Sequence, residues 1–144
     1  MKKFLFAMAI AVASVLLFAA CSSKSGNVAN TPTGKDVKAA PIGNLTVTLS
    51  TDSGQLKSGA QEVLVRFTDA AGKPVDVGAV SLNFHMPQMG SMAPMNEQAT
   101  FTTTATPGIY RGKINITMAG EWQAQVAFEG AGGNGKTSFA IPVQ

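Results

Sequence analysis

A seven-stranded antiparallel β-sandwich of immunoglobulin-like type is the fold class predicted here, on three observations. Apolar residues alternate with period two along nearly all of the chain from Leu45 onward. Clusters of Gly, Pro, Asp, Asn and Ser interrupt that alternation at intervals short enough for hairpins. No stretch beyond the N-terminal leader repeats with the 3.6-residue period of a helix.

The expected strands follow in order. Leu45, Val47 and Leu49 share parity in the first, Val63, Val65 and Phe67 in the second, and Val80, Leu82 and Phe84 in the third. Ala99, Phe101 and Thr103 mark a fourth; Tyr110, Gly112, Ile114 and Ile116 a fifth. Trp122, Ala124, Val126 and Phe128 form the sixth, and Phe139, Ile141 and Val143 the last. Thr and Ser fill many intervening places, as half-buried strands favour. Turns are expected at Asp52-Ser53-Gly54, Ala71-Gly72-Lys73-Pro74, Thr106-Pro107-Gly108, Ala119-Gly120 and the glycine-rich run 130–135. Trp122 is expected in the core.

The N-terminus belongs to a different class of segment. Met1-Lys2-Lys3 is followed by an apolar run from Phe4 to Phe18, broken only by Ser14, and then by Ala19-Ala20-Cys21. A charged start, a short apolar stretch and small residues at the end describe a secretory leader over 1–20, too short to span a bilayer comfortably. Leu17-Phe18-Ala19-Ala20-Cys21 resembles the bacterial lipobox, in which the cysteine is acylated and becomes the new N-terminus. Cys21 is then a lipid anchor; ordinary secretory cleavage leaving a free thiol is the alternative. Cys21 is the single cysteine of the 144 residues, so no intramolecular disulfide can form and the fold rests on its core. Acyl chains hold a protein on a membrane without crossing it. Residues 21–43, rich in Ser, Gly, Asn, Thr, Pro and Ala, read as a flexible tether spanning roughly 25 Å. The folded domain is expected over 44–144. The location implied is the cell envelope, facing the periplasm or the outside; Ser22 after the anchor suits the outer membrane of a Gram-negative cell.

The leader also carries part of the charge. Eleven basic residues less Lys2 and Lys3 leave nine against eight acidic ones, a side-chain charge of +1. The remaining lysines are scattered singly, with no basic stripe for nucleic acid. Catalysis lacks a foundation as well. The chain has one histidine, no usable cysteine, no Gly-x-Ser-x-Gly elbow and no glycine-rich phosphate loop before a helix, so no enzyme is expected.

The chemistry concentrates in one window. Residues 85–95 read His-Met-Pro-Gln-Met-Gly-Ser-Met-Ala-Pro-Met, holding four of the seven methionines and the only histidine. Met86, Met89, Met92 and Met95 recur every three residues, and Pro87 and Pro94 argue against a regular helix. A polyproline-type or turning loop at three residues per turn puts all four thioethers on one side. Soft sulfur donors with one imidazole favour Cu(I), whereas zinc prefers thiolate, imidazole or carboxylate and calcium needs a run of oxygens. Phe84 has inward parity, so His85 faces out; it can ligate only as the neutral imidazole. Met86 has inward parity and either contributes a thioether or plugs the end of the sandwich. Met118 lies in the connection before Trp122. If strands alternate in direction, that connection emerges at the same end as the Met-rich loop, where Met118 either joins the sulfur cluster or caps the core.

These residues carry a resemblance. His85-Met86-Pro87-Gln88-Met89-Gly90 resembles the Met-Pro-x-Met-Gly signature of the YtkA-like family, and Gly108-Ile109-Tyr110-Arg111-Gly112 and Met118-Ala119-Gly120-Glu121-Trp122 fit the same pattern, over roughly Leu45 to Val143. Related domains resemble segments of heavy-metal efflux membrane-fusion subunits and FixH-like oxidase-assembly proteins. The resemblance implies an immunoglobulin-like extracytoplasmic domain associated with copper, with Met86, Met89 and Met118 at the family's methionine positions. Many members place a histidine just after the Met-Gly pair, where this chain has Ser91 and Met92; that leans the site toward thioethers. The expected function is a lipid-anchored Cu(I)-binding protein that sequesters copper or passes it to a protein partner. Its expected ligands are His85, Met89 and Met92, with Met86, Met95 and Met118 as further candidates. The alternative is a metal-free module that docks the same Met- and Pro-rich loop on a membrane complex.

Overall fold

The computed structural model describes residues 32–144. The expected leader over 1–20, Cys21 and the first part of the expected tether lie outside the described residues. Those described form nine strands: β1 (Lys35–Ile42), β2 (Leu45–Thr51), β3 (Gly59–Thr68), β4 (Ala79–Met86), β5 (Met95–Gln98), β6 (Thr100–Thr103), β7 (Ile109–Ile116), β8 (Gly120–Gly130) and β9 (Gly133–Val143). They make two sheets, ordered β1-β2-β3-β7-β6 and β5-β4-β8-β9, and every ladder within them is antiparallel. Among the described residues no helix is long and apolar enough to cross a membrane.

Period-two alternation sets the burial. Leu82 and Phe84 on β4, Trp122, Ala124 and Val126 on β8, and Val63, Val65 and Phe67 on β3 are buried, while their sequence neighbours on β4 and β8 turn outward. The apolar faces of the two sheets form one core. Phe67 crosses it, meeting Phe128 edge-on at 5.5 Å and Tyr110 at 5.9 Å. The glycine-rich run 130–135 is a tight hairpin: β8 and β9 pair through Gly130↔Gly133, with Gly133 at φ +120°.

Two expectations are corrected. The tether does not extend to residue 43, because Lys35–Ile42 is strand β1, paired along its length with β2. Its alternation is faint: only Ala40 and Ile42 are buried, a bulge shifts the register between Asp36 and Lys38, and Pro41 is tolerated because β1 is an edge strand. The missed signal was Gly43-Asn44, a two-residue hairpin turn joining the Ile42↔Leu45 pair, with Gly43 at φ +63°. Asp36 then fastens the strand, accepting from the Ser50 hydroxyl at 2.8 Å and pairing with Arg66 at 3.3 Å. The second correction is an unforeseen strand ahead of the fourth expected one: β5, which starts at the last residue of the Met-rich window, lies in the sheet of β4, whereas the strand expected through Phe101 and Thr103 is β6 in the other sheet. The chain changes sheets at buried Ala99, whose N–H donates to the Leu82 carbonyl at 2.9 Å. Nine strands therefore stand where seven were expected.

A buried tyrosine holds the β3–β4 connection against β7. The Tyr110 hydroxyl donates to Asp76 at 2.7 Å and accepts from the Val77 N–H at 3.0 Å. The Gly78 N–H and the Tyr110 hydroxyl hold the Asp76 carboxyl below its ordinary value of 3.8, and burial followed by the bond to Asp76 pushes Tyr110 above 10.0. A lowered carboxyl contributes stability that is full above the ordinary value and fades as pH falls through the folded one. A raised phenol contributes below its ordinary value and loses that contribution in strong alkali. Neutral pH is thus a plateau. Tyr110→Phe strands the N–H of buried Val77 and is expected to cost about 1–3 kcal/mol in denaturant unfolding at pH 7. It should also flatten the acid limb of the stability profile; an unchanged midpoint and limb would contradict the bridge.

Candidate metal centre

The Met-rich window closes a hairpin. β4 and β5 pair from Asn83↔Gln98 through His85↔Asn96 to Met86↔Met95, and the same register resumes at the tip in the bridge Met89↔Met92. The Met92 N–H donates to the Met89 carbonyl at 3.0 Å, closing the turn Met89-Gly90-Ser91-Met92, with Gly90 at φ +59°. Between the ladder and the tip, Pro87 and Pro94 face each other in this register. Neither has an N–H to give, so regular pairing lapses there.

A hairpin has a side-chain period of two, and that splits the candidates. His85, Met89 and Met92 share the outer face; Met86 and Met95 share the inner one. The expectation that all four thioethers lie on one side is corrected: Met86 and Met95 pair in the ladder and pack against the core, while Met89 and Met92 stand exposed at the tip. Met86 is 2% exposed and sits in the core, whereas Met89 is 55% and Met92 43% exposed. These two are the exposed large apolar side chains among the described residues. Four extended residues separate the Cα atoms of His85 and Met89 by about 13 Å. His85 therefore reaches the tip sulfurs only if both side chains lie along the hairpin.

The β7–β8 turn comes to the same end of the sandwich, as alternating strand directions require. The terminal methyl of Met86 fills the space above Gly120, 2.9 Å from where a Cβ there would stand. The Thr117 hydroxyl donates to the Met95 sulfur at 3.7 Å. Met118 is half-buried against the core, and its carbonyl accepts from the indole N–H of fully buried Trp122 at 3.1 Å. Trp122 thereby positions the turn beside the inner methionine pair. Met86, Met95 and Met118 belong to this inner rim, separate from the exposed tip.

His85 is half-buried on the outer face, its Nδ1 2.9 Å from the Asn96 side-chain oxygen. With the amide oxygen accepting, the proton sits on Nδ1 and the Nε2 lone pair is left for an ion. Asn96 was not singled out from sequence; only its register opposite His85 brings it in. No group of three or more His, Cys, Asp or Glu side chains that could hold a metal occurs among the described residues. A metal here would be held by sulfur, with His85 as the one imidazole.

The pattern of the YtkA-like family matches residues 30–127, more than half of the chain. The chain belongs to the YtkA-like family. The match begins earlier than the Leu45 start expected from the motifs, taking in β1, and ends within β8. It includes the Met-rich hairpin, Met118 and Trp122 of this YtkA-like domain. Neither the curated proteins nor the solved structures give a match to the chain.

Proposed function

We propose that this YtkA-like protein is a non-enzymatic, extracytoplasmic Cu(I)-binding protein, anchored through lipid on Cys21, that sequesters copper or hands it to a protein partner in the cell envelope. The observation that carries this reading is the Met89–Met92 pair: two thioethers held opposite each other at a hairpin tip and left in solvent. Among the described residues these are the exposed large apolar side chains, and thioethers are soft donors suited to a monovalent ion. His85, about 13 Å down the strand, is a reserve imidazole outside the tip pair, and Met95 and Met118 are reserve donors at the rim. Met86, sunk in the core, serves packing. Strand order supports an immunoglobulin-like reading of the sandwich, with β2-β3-β7-β6 facing β5-β4-β8-β9 and β1 added at one edge. The lipobox-like string ending at Cys21 supports the anchor, and kinship with efflux-associated and FixH-like domains is part of the same proposal.

The same exposed pair also suits docking on a membrane complex without metal. Metal retention decides between the two. The purified chain is exposed in parallel to Cu(I), Cu(II) and Zn(II), each with a competing chelator, and bound metal is counted. Retention of Cu(I) over the other two is the expected result. Equal loss of all three, with copper-independent capture from membranes that disappears on deleting 87–94, would replace copper binding with docking.

A further inference from the structure

We infer that one chain supplies an incomplete copper site, and that a second copy of this chain completes it tip to tip, so that one Cu(I) is held between two Met89–Met92 pairs. This rests on the copper reading and adds its stoichiometry and its partner.

The donor count leads here. Among the described residues, only Met89 and Met92 combine exposure with a fixed opposition across the turn. His85 stands about 13 Å down the strand. Met95 points to the inner face, its sulfur engaged by Thr117, and Met86 is in the core. Two neutral thioethers hold an ion weakly, so a firm site needs donors from outside the chain. A twofold axis through the ion presents the same pair from a second copy and gives four sulfurs. Such an arrangement is self-complementary and closes on itself.

The tip is shaped for that approach. From Met86 to Asn96 there is no charged side chain, so two copies meet without like-charge repulsion. Gly90 and Ser91 at the apex carry little bulk, and the sulfurs flank them. The pair lies at the free end of the hairpin, beyond the last regular ladder pair of β4 and β5, which leaves the body of each sandwich clear of the other. Copies anchored to one membrane would meet at raised local concentration.

The test uses two full-length forms of the chain carrying different peptide tags, co-expressed and solubilised together in mild detergent. One tag is captured with Cu(I) present or with a Cu(I) chelator, and the second tag and the copper are measured. Expected are co-capture that depends on Cu(I), one copper per two chains, and loss of co-capture to background when either partner carries Met89→Ala/Met92→Ala. One copper per chain without co-capture would overturn the shared site while leaving copper binding intact. Co-capture that survives the chelator would overturn copper bridging. No retained copper would defeat both.

Discussion

Trp122→Ala lowers the unfolding free energy by about 3–5 kcal/mol, a large part of the 5–15 kcal/mol that holds an ordinary domain together. Two losses combine. The indole is fully buried in the core, opposite buried Ile141 in the β8–β9 ladder, and truncation leaves a cavity there. Its N–H also donates to the Met118 carbonyl, so the turn carrying Met118 loses its tie to the core. Trp122→Phe separates the two: most apolar area returns, while the Met118 carbonyl still lacks its donor. The expected order in denaturant midpoint is wild type, then Phe, then Ala, with the Phe deficit near 1 kcal/mol. A Trp122→Ala midpoint within 0.5 kcal/mol of wild type, on the scale of a surface substitution, would contradict the packing described.

Met89→Ala/Met92→Ala does the opposite: it leaves stability within about 0.5 kcal/mol and weakens Cu(I) binding by about 100-fold or more. Both side chains are exposed at the hairpin tip and outside the core, so their removal opens no cavity. Met86→Ala reverses the pattern. Its side chain is 2% exposed and packs over Gly120, so its loss is expected to cost about 2–5 kcal/mol with Cu(I) affinity retained below the unfolding transition. Competition against a Cu(I) chelator, beside denaturant unfolding of each variant, checks the pair. Equal loss of affinity in both variants would mean that the inner and outer methionines act as one group.

The strands that bury a full row of large side chains were legible in the sequence. β3, β4, β7, β8 and β9 follow the parity of Val65, Leu82, Ile114, Trp122 and Ile141, all now in the core. β1 was not, because an edge strand with a bulge, a proline and two buried residues has almost no apolar rhythm. β5 was missed because Met95–Gln98 has one apolar side chain and no fully buried residue; only its pairing with β4 reveals it, and the change of sheet at Ala99 separates it from β6. At the candidate site, composition singled out the right window and parity placed His85 outside and Met86 within reach of the core. The three-residue spacing misled. Two prolines suggested a polyproline-like turn, yet they face each other in a hairpin whose register runs on to Met89↔Met92. Which sulfurs share a face depends on that register, and register is a long-range property that a methionine count does not contain.

X-ray absorption at the copper edge of the Cu(I)-loaded chain tests the central claim most directly, because it reads the atoms around the ion. Thioether ligation predicts a first shell dominated by sulfur in the wild type and stripped of that sulfur in Met89→Ala/Met92→Ala. A shell of nitrogen and oxygen alone, or a sulfur shell unchanged by the double substitution, would contradict it.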